Sequence, residues 1–345
     1  MAFETIEGQE RAASLLRAAL KTGWVPHAYL LVGPEGVGRT AMARELAAIL
    51  LCSRGKEERC GKCRSCRAFV SGNHPDYFEV GLPEGKQSLP INAIRGDRKT
   101  GERGVQDEAA VKPVIAERRV FVVRDVERMS VEAANCFLKT LEEPPGDTRF
   151  ILIAAGLADV PATIVSRCWV VKLSGLPAAK VEEQLRSDGA KAEDARWLAQ
   201  RSWGSPGRAR AFRDTALHEF NRQLVGELLA FRLEDNFRLS DWLQSAARSG
   251  ESRAEARVVL QDLLECMALF YRDLAAVSLG DDGPLFNEDR RSEIRACAAR
   301  LSLDQIVDCA DGVLETIEHV GQNANSRLAL DALFSRIGCI CATKN

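Results

Sequence analysis

Four cysteines stand close together in a polar, charged stretch of the chain. One cysteine is followed by seven residues and then by C-x2-C-x2-C, which gives Cys52, Cys60, Cys63 and Cys66. Thiolates at this spacing can close a tetrahedral Zn²⁺ site. Free cysteines favour buried positions, and the charged residues between these four disfavour burial. We therefore predict a structural Zn²⁺ whose four ligands leave no open position for catalysis.

A second motif has the spacing of a phosphate-binding loop. Residues 33–40 read GPEGVGRT, which departs from the pattern GxxxxGK[ST] only at the position of the lysine. An apolar run precedes the loop and a helix-compatible run follows it, so backbone N–H groups at a helix N-terminus could cradle an anion. The candidate nucleotide-binding residues are Gly33, Gly36, Gly38, Arg39 and Thr40.

Two arginines stand where ATP hydrolysis needs other residues. After the apolar run 120–123, Arg124 takes the place of a carboxylate that would help to hold Mg²⁺, and Asp125 follows it. A guanidinium there would repel the metal, and Arg39 does not reproduce the compact ammonium of lysine. We predict inefficient hydrolysis and, at most, passive binding of ATP or ADP. A register in which Asp125 is the metal-associated residue stays open, because Thr40 is retained.

Strand-like and helical runs alternate over the first 175 residues, which predicts a parallel α/β sheet covered by helices on both faces. The predicted strands are Ala28–Val32, Tyr77–Val80, 120–123, 150–154 and 169–173. A helix is predicted from the N-cap Ser130 to the proline pair at 144–145. The polar segment 81–113 is predicted to hold at most one short helix, near Ile91–Arg95.

Strand signals end at Leu176. Residues 176–213 predict a small helical unit, and a second helical unit runs to the C-terminus. The composition, with 46% hydrophobic and 28% charged residues and a net charge of −2, disfavours a strongly cationic nucleic-acid binder. No apolar run approaches the roughly 20 residues of a membrane span, and the first residues do not resemble a signal peptide. We expect a cytoplasmic protein.

Several motifs occur in one order that is typical of a family. They are the phosphate loop, the cysteine module after its helix, HPD at 74–76, NCFLKTLEEPP at 135–145 and the tripeptide Ser166, Arg167 and Cys168. Together they resemble the δ′ subunits of the bacterial DNA polymerase III clamp loader, which are AAA+ proteins. The resemblance implies a five-stranded P-loop domain over 1–175 with a zinc module at 52–66, a helical lid over 176–213 and an oligomerising helical collar over 214–345.

The resemblance also implies a role for Arg167. Clamp loaders are rings of related subunits with ATP between neighbours, and the Ser-Arg-Cys arginine of one subunit points into the ATP site of the next. Arg167 would then be a catalytic residue in trans, an arginine finger that stabilises charge on the transferred phosphoryl group. Arg39 and Arg124 favour an ATPase-deficient stator. The implied partners are the γ/τ ATPase subunits and the δ subunit, with the sliding clamp and primer-template DNA reached through the complex, and no membrane.

The sequence departs from the family pattern in three places. Seven residues separate the first two cysteines, where eight are common, and 97–106 lacks an expected apolar helix face. The segment 204–208 resembles the sensor-2 region, but its arginine follows Pro-Gly and is not expected to face a phosphate.

Two other functions stay open. One is an ATP-hydrolysing γ/τ-type motor subunit, whose turnover would depend on Thr40 and Asp125. The other is a nucleic-acid binder unrelated to clamp loading, since basic residues surround the cysteines: Lys56, Arg59, Lys62, Arg64 and Arg67. A solvated loop explains these cations better, because no aromatic residues interleave with them to stack bases.

Overall fold

The computed structural model describes residues 3, 6–55, 57–83, 86, 88–97, 99–231, 236–248, 253–322 and 324–342. The chain divides into two compact units: Met1–Val181 with Ser202–Arg208, and Glu182–Arg201 with Ala209–Asn345. Within the described ranges, no helix is long and apolar enough to cross a lipid bilayer. The division into P-loop, lid and collar domains at residues 175 and 213 stays a prediction.

The first unit contains a five-stranded parallel sheet, which confirms the predicted fold class. Its strands are β1 (Ala28–Val32), β2 (Tyr77–Val80), β3 (Arg119–Val123), β4 (Thr148–Ala154) and β5 (Trp169–Lys172). The spatial order is β2-β3-β4-β1-β5. Every residue of β1 and β3 is buried, as the apolar runs require of strands that are covered on both faces.

Because all five strands run in one direction, the sheet has two chemically different ends. We call them the carboxyl end, where β1 leads into Gly33 and β3 into Arg124, and the amino end, where Cys168 leads into β5. β1 and β5 pair in register from Tyr29 with Trp169 to Val32 with Lys172. At roughly 3.3 Å per residue, a strand of five residues separates the two ends by about 16 Å.

Helices cover both faces of the sheet. They are α1 (Glu10–Thr22), α2 (Arg39–Leu51), α3 (Arg64–Val70), α4 (Ile91–Arg95), α5 (Val105–Ala109), α6 (Val131–Glu142) and α7 (Ala162–Val165). Leu16 and Leu46 belong to the core on one face, and Ile94 and Phe137 belong to the core on the other. The predicted N-cap of α6 is confirmed, since the Ser130 hydroxyl accepts a hydrogen bond from Ala133 N–H at 3.1 Å.

The prediction of at most one short helix in 81–113 was wrong. The structure contains α4 at the predicted place and also α5, whose Val105 and Ala109 lie one turn apart and are both buried. Gly104 allows this second helix to pack closely, because a Cβ atom there would lie 2.1 Å from Gly96 N. Two apolar residues in a polar segment were too weak a periodic signal to predict the helix.

Helices and connecting turns make up the described residues of the second unit, and none of these residues forms a strand, which confirms the predicted loss of strands. The remaining helices are α8 (Ala178–Ser187), α9 (Ala192–Arg201), α10 (Pro206–Asp214), α11 (Leu217–Ala230), α12 (Asn236–Ala247), α13 (Arg253–Ser278), α14 (Arg291–Ala298), α15 (Leu303–Gly321) and α16 (Ser326–Ala342). The long helices α13 and α15 pack together, and α16 packs on α15 and α12. α8 and α10 each contribute residues to both units.

Candidate functional site

The phosphate loop has the backbone geometry that its glycines predict. Gly36 and Gly38 have φ values of +74° and +99°, in the left-handed region that L side chains rarely adopt. Gly38 is the N-cap of α2, which begins at Arg39. The loop therefore joins the carboxyl end of the sheet to a helix N-terminus, the arrangement that could bind phosphate.

Atoms of the same unit contact this loop closely. Gly207 N–H donates a hydrogen bond to Gly36 C=O at 3.2 Å, and a Cβ atom at Gly36 would lie 2.3 Å from Ser205 Oγ. A Cβ atom at Gly38 would lie 2.9 Å from Ile6 Cγ2. The sensor-2-like segment thus contacts the loop through the Gly207 backbone and the Ser205 side chain, next to the start of α10.

Gln9 holds the loop in place, a role that no sequence pattern predicts. Its buried side-chain amide donates to Val37 C=O at 3.2 Å and to Ser174 C=O at 2.7 Å. The amide oxygen accepts from Ser174 N–H at 3.1 Å. One side chain therefore ties the phosphate loop to the segment that follows β5.

The arginine at the metal-associated position is paired with a carboxylate from the neighbouring strand. Arg124 Nε lies 3.3 Å from Glu79 Oε1, and the other oxygen of Glu79 accepts a hydrogen bond from Arg44 Nε at 3.0 Å. Tyr77 also donates to Glu79, at 2.8 Å. Glu79 was not among the predicted site residues, yet it supplies the negative charge that neutralises the substituted position.

Asp125 takes part in the backbone structure of this region. It has a φ of 56°, unusual for a residue with a side chain, and its Oδ2 accepts a hydrogen bond from Leu82 N–H at 3.2 Å. Glu127 Oε1 accepts from Ala155 N–H at 3.0 Å, at the end of β4. The two carboxylates that follow Arg124 along the chain, Asp125 and Glu127, are thus hydrogen-bonded to backbone groups at the carboxyl end.

The four predicted cysteines come together in one cluster. Their sulfur atoms all lie within 4.8 Å of one another, and Cys52 Sγ lies 4.0 Å from Cys63 Sγ. Zn–S bonds of about 2.3 Å in a tetrahedron place sulfurs about 3.8 Å apart, so the cluster has nearly the dimensions of a metal site. Cys52 Sγ accepts from Gly55 N–H and Cys60 N–H, and Cys63 Sγ from Cys66 N–H, at 3.2 to 3.3 Å.

The thiols of this cluster have pKa values shifted in opposite directions. Burial raises the pKa of Cys63, but the N–H of Cys66 and the polar groups of Ser53 outweigh burial and lower that pKa to about 5. Burial and the neighbouring Cys63 sulfur raise the pKa of Cys66 to about 12. A second thiolate beside the first is unfavourable, so four thiolates need a divalent cation to compensate their charge.

The turn at 74–76 anchors the cysteine module through hydrogen bonds. His74 Nε2 lies 2.7 Å from Ser65 Oγ, which donates in turn to Leu51 C=O at 2.6 Å. Burial lowers the pKa of His74, which keeps its imidazole neutral. Asp76 is fully buried and accepts hydrogen bonds from three successive N–H groups at 2.6 to 2.9 Å: Val114, Ile115 and Ala116.

Arg167 lies at the amino end of the sheet, directly before β5. Its Nε donates to Glu142 Oε1 at 2.9 Å, and its Nη1 donates to Thr163 C=O at 2.9 Å and to Ser166 Oγ at 3.1 Å. The side chain stays 32% exposed. Glu142 ends α6 and belongs to the Glu-Glu-Pro-Pro run, so the sequence contained the residue but no sign that it pairs with Arg167.

Aromatic residues surround Arg167 at the amino end. A cavity of about 840 Å³ is lined by Arg167, Trp24, His27, Arg149 and Trp169. Trp24 is 58% exposed and packs edge-on against Trp169, with 5.3 Å between ring centroids. The structure brings Arg167 together with these residues and keeps it at the opposite end of the strands from the phosphate loop.

Two of the basic residues around the cysteines have partners within the first unit. Arg59 pairs with Glu45 at 3.3 Å, and Arg67 donates to Lys62 C=O at 3.0 Å. Lys56 lies outside the described residues. Two of the five cations are thus engaged within the first unit.

The parallel sheet, the glycine-rich loop at its carboxyl end and the helix that starts from this loop define a P-loop type of nucleotide-binding fold. The family described as "DNA polymerase III, delta subunit" matches residues 8–177. The DNA polymerase III subunit delta' of Escherichia coli is 31% identical over 245 residues, which are 70% of this chain and 70% of that protein. The chain belongs to the delta' subunit family of DNA polymerase III.

Two further relatives distinguish the delta' assignment of this chain from the γ/τ motor subunit, the alternative that the sequence left open. The delta' subunit of Bacillus subtilis is 26% identical and matches 93% of this chain and 94% of its own length. The tau/gamma subunit of Haemophilus influenzae is 30% identical over 68% of this chain, but the chain spans only 34% of that protein. The predicted delta' assignment is therefore confirmed over the γ/τ alternative.

Proposed function

We propose that this chain is the clamp-loader subunit that donates Arg167 to the ATP site of a neighbouring subunit and does not hydrolyse ATP efficiently itself. The position of Arg167 carries the proposal. It stands at the amino end of the sheet, about 16 Å of strand away from the chain's own phosphate loop. An arginine side chain reaches less than half of that distance. Any ATP phosphate that Arg167 contacts therefore lies in the ATP site of another subunit, and not in this chain's own phosphate loop.

The surroundings of Arg167 fit this role. Glu142, Thr163 and Ser166 fix the guanidinium through four of its hydrogen bonds, which orients it before a partner arrives. The exposed Trp24 and the cavity beside it offer an apolar surface on which a neighbouring subunit could pack. A fixed cation at a desolvated interface stabilises charge on a phosphoryl group in transfer.

The chain's own phosphate loop supports the second half of the proposal. Catalysis there would need a carboxylate to hold Mg²⁺, and Arg124 places a cation at that point, paired with Glu79. Arg39 offers a planar fork in place of the lysine ammonium. ATP or ADP could still bind passively to the loop backbone through Gly33, Gly36, Gly38 and Thr40.

We propose Zn²⁺ as the ion that the four cysteines hold. Four sulfur ligands in a compact cluster match the tetrahedral preference of Zn²⁺, and a complete thiolate shell gives a structural site. The cysteines and the turn at 74–76 would then fix the loop between α2 and β2. Zn²⁺ would supply no chemistry to phosphoryl transfer.

Partners are proposed from the family and from one surface of the helical unit. On α15, Leu303, Val307 and Leu314 are exposed and lie on one stripe of the helix, about 100° around the helix axis from the buried Ile306, Val313 and Val320. Such a stripe fits an oligomerisation collar that joins γ/τ ATPase subunits and the δ subunit. The sliding clamp and primer-template DNA would be reached through the assembled ring.

The test is ATP hydrolysis by the reconstituted ring, in the presence of clamp and primer-template DNA. We expect Arg167→Ala to remove turnover at one neighbouring site, and Arg167→Lys to restore little, because a lysine cannot reproduce the fork of the guanidinium. Analytical ultracentrifugation of the same rings separates this effect from failed assembly. Normal turnover with Arg167→Ala in an intact ring would contradict the proposal.

A further inference from the structure

Two cysteines of the second unit lie side by side, outside the cysteine module. Cys309 is on α15, and Cys341 is in the last turn of α16. The two helices pack against each other, and the side-chain amide of Gln305, one turn before Cys309, donates to Ile340 C=O at 2.9 Å. The two thiols hydrogen-bond each other. Only a small movement therefore separates the two sulfur atoms from the distance of a disulfide bond.

The two thiols have different surroundings. Cys309 is fully buried, and the hydroxyl of Tyr271 on α13 also hydrogen-bonds its sulfur, whereas Cys341 is an exposed residue. The hydrogen bond from Cys309 lowers the pKa of Cys341 to about 7, helped by the charge of Arg300 and opposed by partial desolvation. The hydrogen bond with Cys341 and burial raise the pKa of Cys309. Cys341 is therefore the thiol that is reached from solution and ionises first, and the thiolate is the form that attacks disulfides.

Two other cysteines of the second unit are less well placed to react with Cys341. Cys339 is exposed on the same helix, but residues two apart in a helix point about 200° away from each other around its axis. Cys297 on α14 is buried and hydrogen-bonds Arg300, and its contact with Cys341 is electrostatic only. The geometry therefore favours Cys309 as the partner of Cys341.

We propose that Cys341 is a site of reversible oxidation by small-molecule disulfides and that Cys309 is its resolving thiol. In the first step, the Cys341 thiolate attacks one sulfur of the small disulfide, and the other half leaves as a thiolate. In the second step, Cys309 loses its proton and attacks Cys341 Sγ, and the second small thiolate leaves. Two protein thiols are oxidised to one disulfide, the small disulfide is reduced to two thiols, and these take up the two protons.

The packing of the helices favours the second step. Because α15 and α16 are already packed together, the attack of Cys309 on a mixed disulfide at Cys341 is intramolecular. The effective concentration of Cys309 there exceeds that of a free thiol in solution, so the mixed disulfide does not accumulate. The product joins α15 to α16, which also packs on α12. This proposal does not depend on the role of Arg167.

The test uses the full-length chain with Cys339→Ser, so that Cys341 is the only cysteine of its tryptic peptide, 337–344. Cys309 is the only cysteine of its own tryptic peptide, 301–327. The folded protein is treated with glutathione disulfide, with Zn²⁺ in the buffer to protect the cysteine module, and is then alkylated and digested. We expect mass spectrometry to show 301–327 joined to 337–344 as the main product of Cys341, and dithiothreitol to release the two peptides.

Two further variants separate the roles of the thiols. With Cys309→Ser added, Cys341 should stop at the mixed disulfide with glutathione. With Cys297→Ser added instead, which removes the other buried thiol, the joined peptides should form as before. Thermal unfolding of each variant checks that it folds. The proposal is overturned if Cys341 does not react, if it stops at the mixed disulfide while Cys309 is present, or if Cys297 is its main partner.

Discussion

Each end of the sheet contains an arginine, and the two arginines have opposite proposed effects on ATP hydrolysis. Arg124 at the carboxyl end would oppose Mg²⁺ binding, and Arg167 at the amino end would stabilise the phosphoryl group of a neighbour's ATP. At the carboxyl end, the loop backbone has the shape of a phosphate cradle, but Arg124 stands at the metal position and Gly207, Ile6 and Gln9 pack on the loop. At the amino end, Arg167 lines an open cavity beside the exposed Trp24, and none of the described residues that line this cavity is a glycine. Under the proposed function, the carboxyl end has a phosphate cradle without the groups that ATP hydrolysis needs, and the amino end has the proposed arginine finger without a cradle.

Under the proposed function, this contrast explains how a nucleotide-binding fold can lose its own ATP hydrolysis and still donate an arginine finger. The glycines of the loop still serve the fold, since Gly36 accepts a hydrogen bond from Gly207 and leaves room for Ser205. Substitution of the catalytic positions therefore need not disturb the backbone. Under the proposed function, the ATP site of one neighbouring subunit needs only the amino end of this chain.

The largest expected effect concerns the cysteine module. This module adjoins the amino end of the sheet, because one cavity is lined both by residues of the module and by residues that precede β1 and β3. These residues are Leu51, Cys52 and Gly55 on one side and Val25 and Arg118 on the other. We expect one Zn²⁺ per chain, and Cys63→Ser or chelation should unfold residues 52–66, since structural Zn²⁺ binding supplies about 10–16 kcal/mol in small modules. Metal analysis and hydrogen exchange measure this.

The same experiment sharpens the comparison of the two ends. Hydrogen exchange at the phosphate loop, residues 33–40, should stay unchanged when the metal is removed, while exchange at 52–66 rises. Cys339→Ser, at an exposed cysteine outside the cluster, is the matched control and should retain the metal. If residues 33–40 lost as much protection from exchange as residues 52–66, the stability of the phosphate loop at the carboxyl end would depend on the metal site near the amino end.

A substitution at Gly36 measures how tightly the carboxyl end is packed. Gly36→Ala should destabilise the protein by roughly 2–4 kcal/mol, because it adds a clash with Ser205 to the cost of a positive φ. Gly146→Ala is the control, since Gly146 also has a positive φ but open space around it, and should cost about 1 kcal/mol. Urea denaturation measures both. Equal costs would mean that the contact on the loop is weak.

A third variant tests the charge at the metal position. Arg124→Asp should cost roughly 1–3 kcal/mol, because it removes a cation from Glu79 and places a second carboxylate beside it. Arg39→Lys, which keeps the charge, should change stability by less than about 0.5 kcal/mol. Chemical denaturation of both variants measures the difference. A stable Arg124→Asp protein would mean that the pair with Glu79 contributes little.

The smallest expected effect concerns Glu142, at the amino end. Glu142→Gln should change stability by less than about 1 kcal/mol, because its ion pair with Arg167 is exposed to solvent. Its effect on ATP hydrolysis by the ring should be much smaller than that of Arg167→Ala, since Thr163 and Ser166 still hold the guanidinium. Loss of turnover as large as that of Arg167→Ala would make Glu142 essential to the position of Arg167.

Local patterns predicted most of the fold, and long-range partners could not be predicted. The apolar runs placed all five strands within two residues of their observed bounds, because buried parallel strands are continuous apolar segments. The spacing of the cysteines likewise predicted their cluster. Gln9 bonds to Ser174, 165 residues away, and nothing near either residue indicates the contact. Glu79 and Glu142 are equally ordinary in sequence, because their roles depend on which arginine the fold brings to them.

The most direct test of the account compares the two ends in one assay. Rings reconstituted with the parent chain, Arg167→Ala or Arg39→Ala are compared for single-turnover ATP hydrolysis at the neighbouring site, with clamp and primer-template DNA present. We predict that Arg167→Ala slows hydrolysis at that site by about 10³-fold or more, the usual contribution of an arginine finger, and that Arg39→Ala has no effect. The opposite pattern, with loss only for Arg39→Ala, would mean that the carboxyl end is a working ATPase site and would contradict the account.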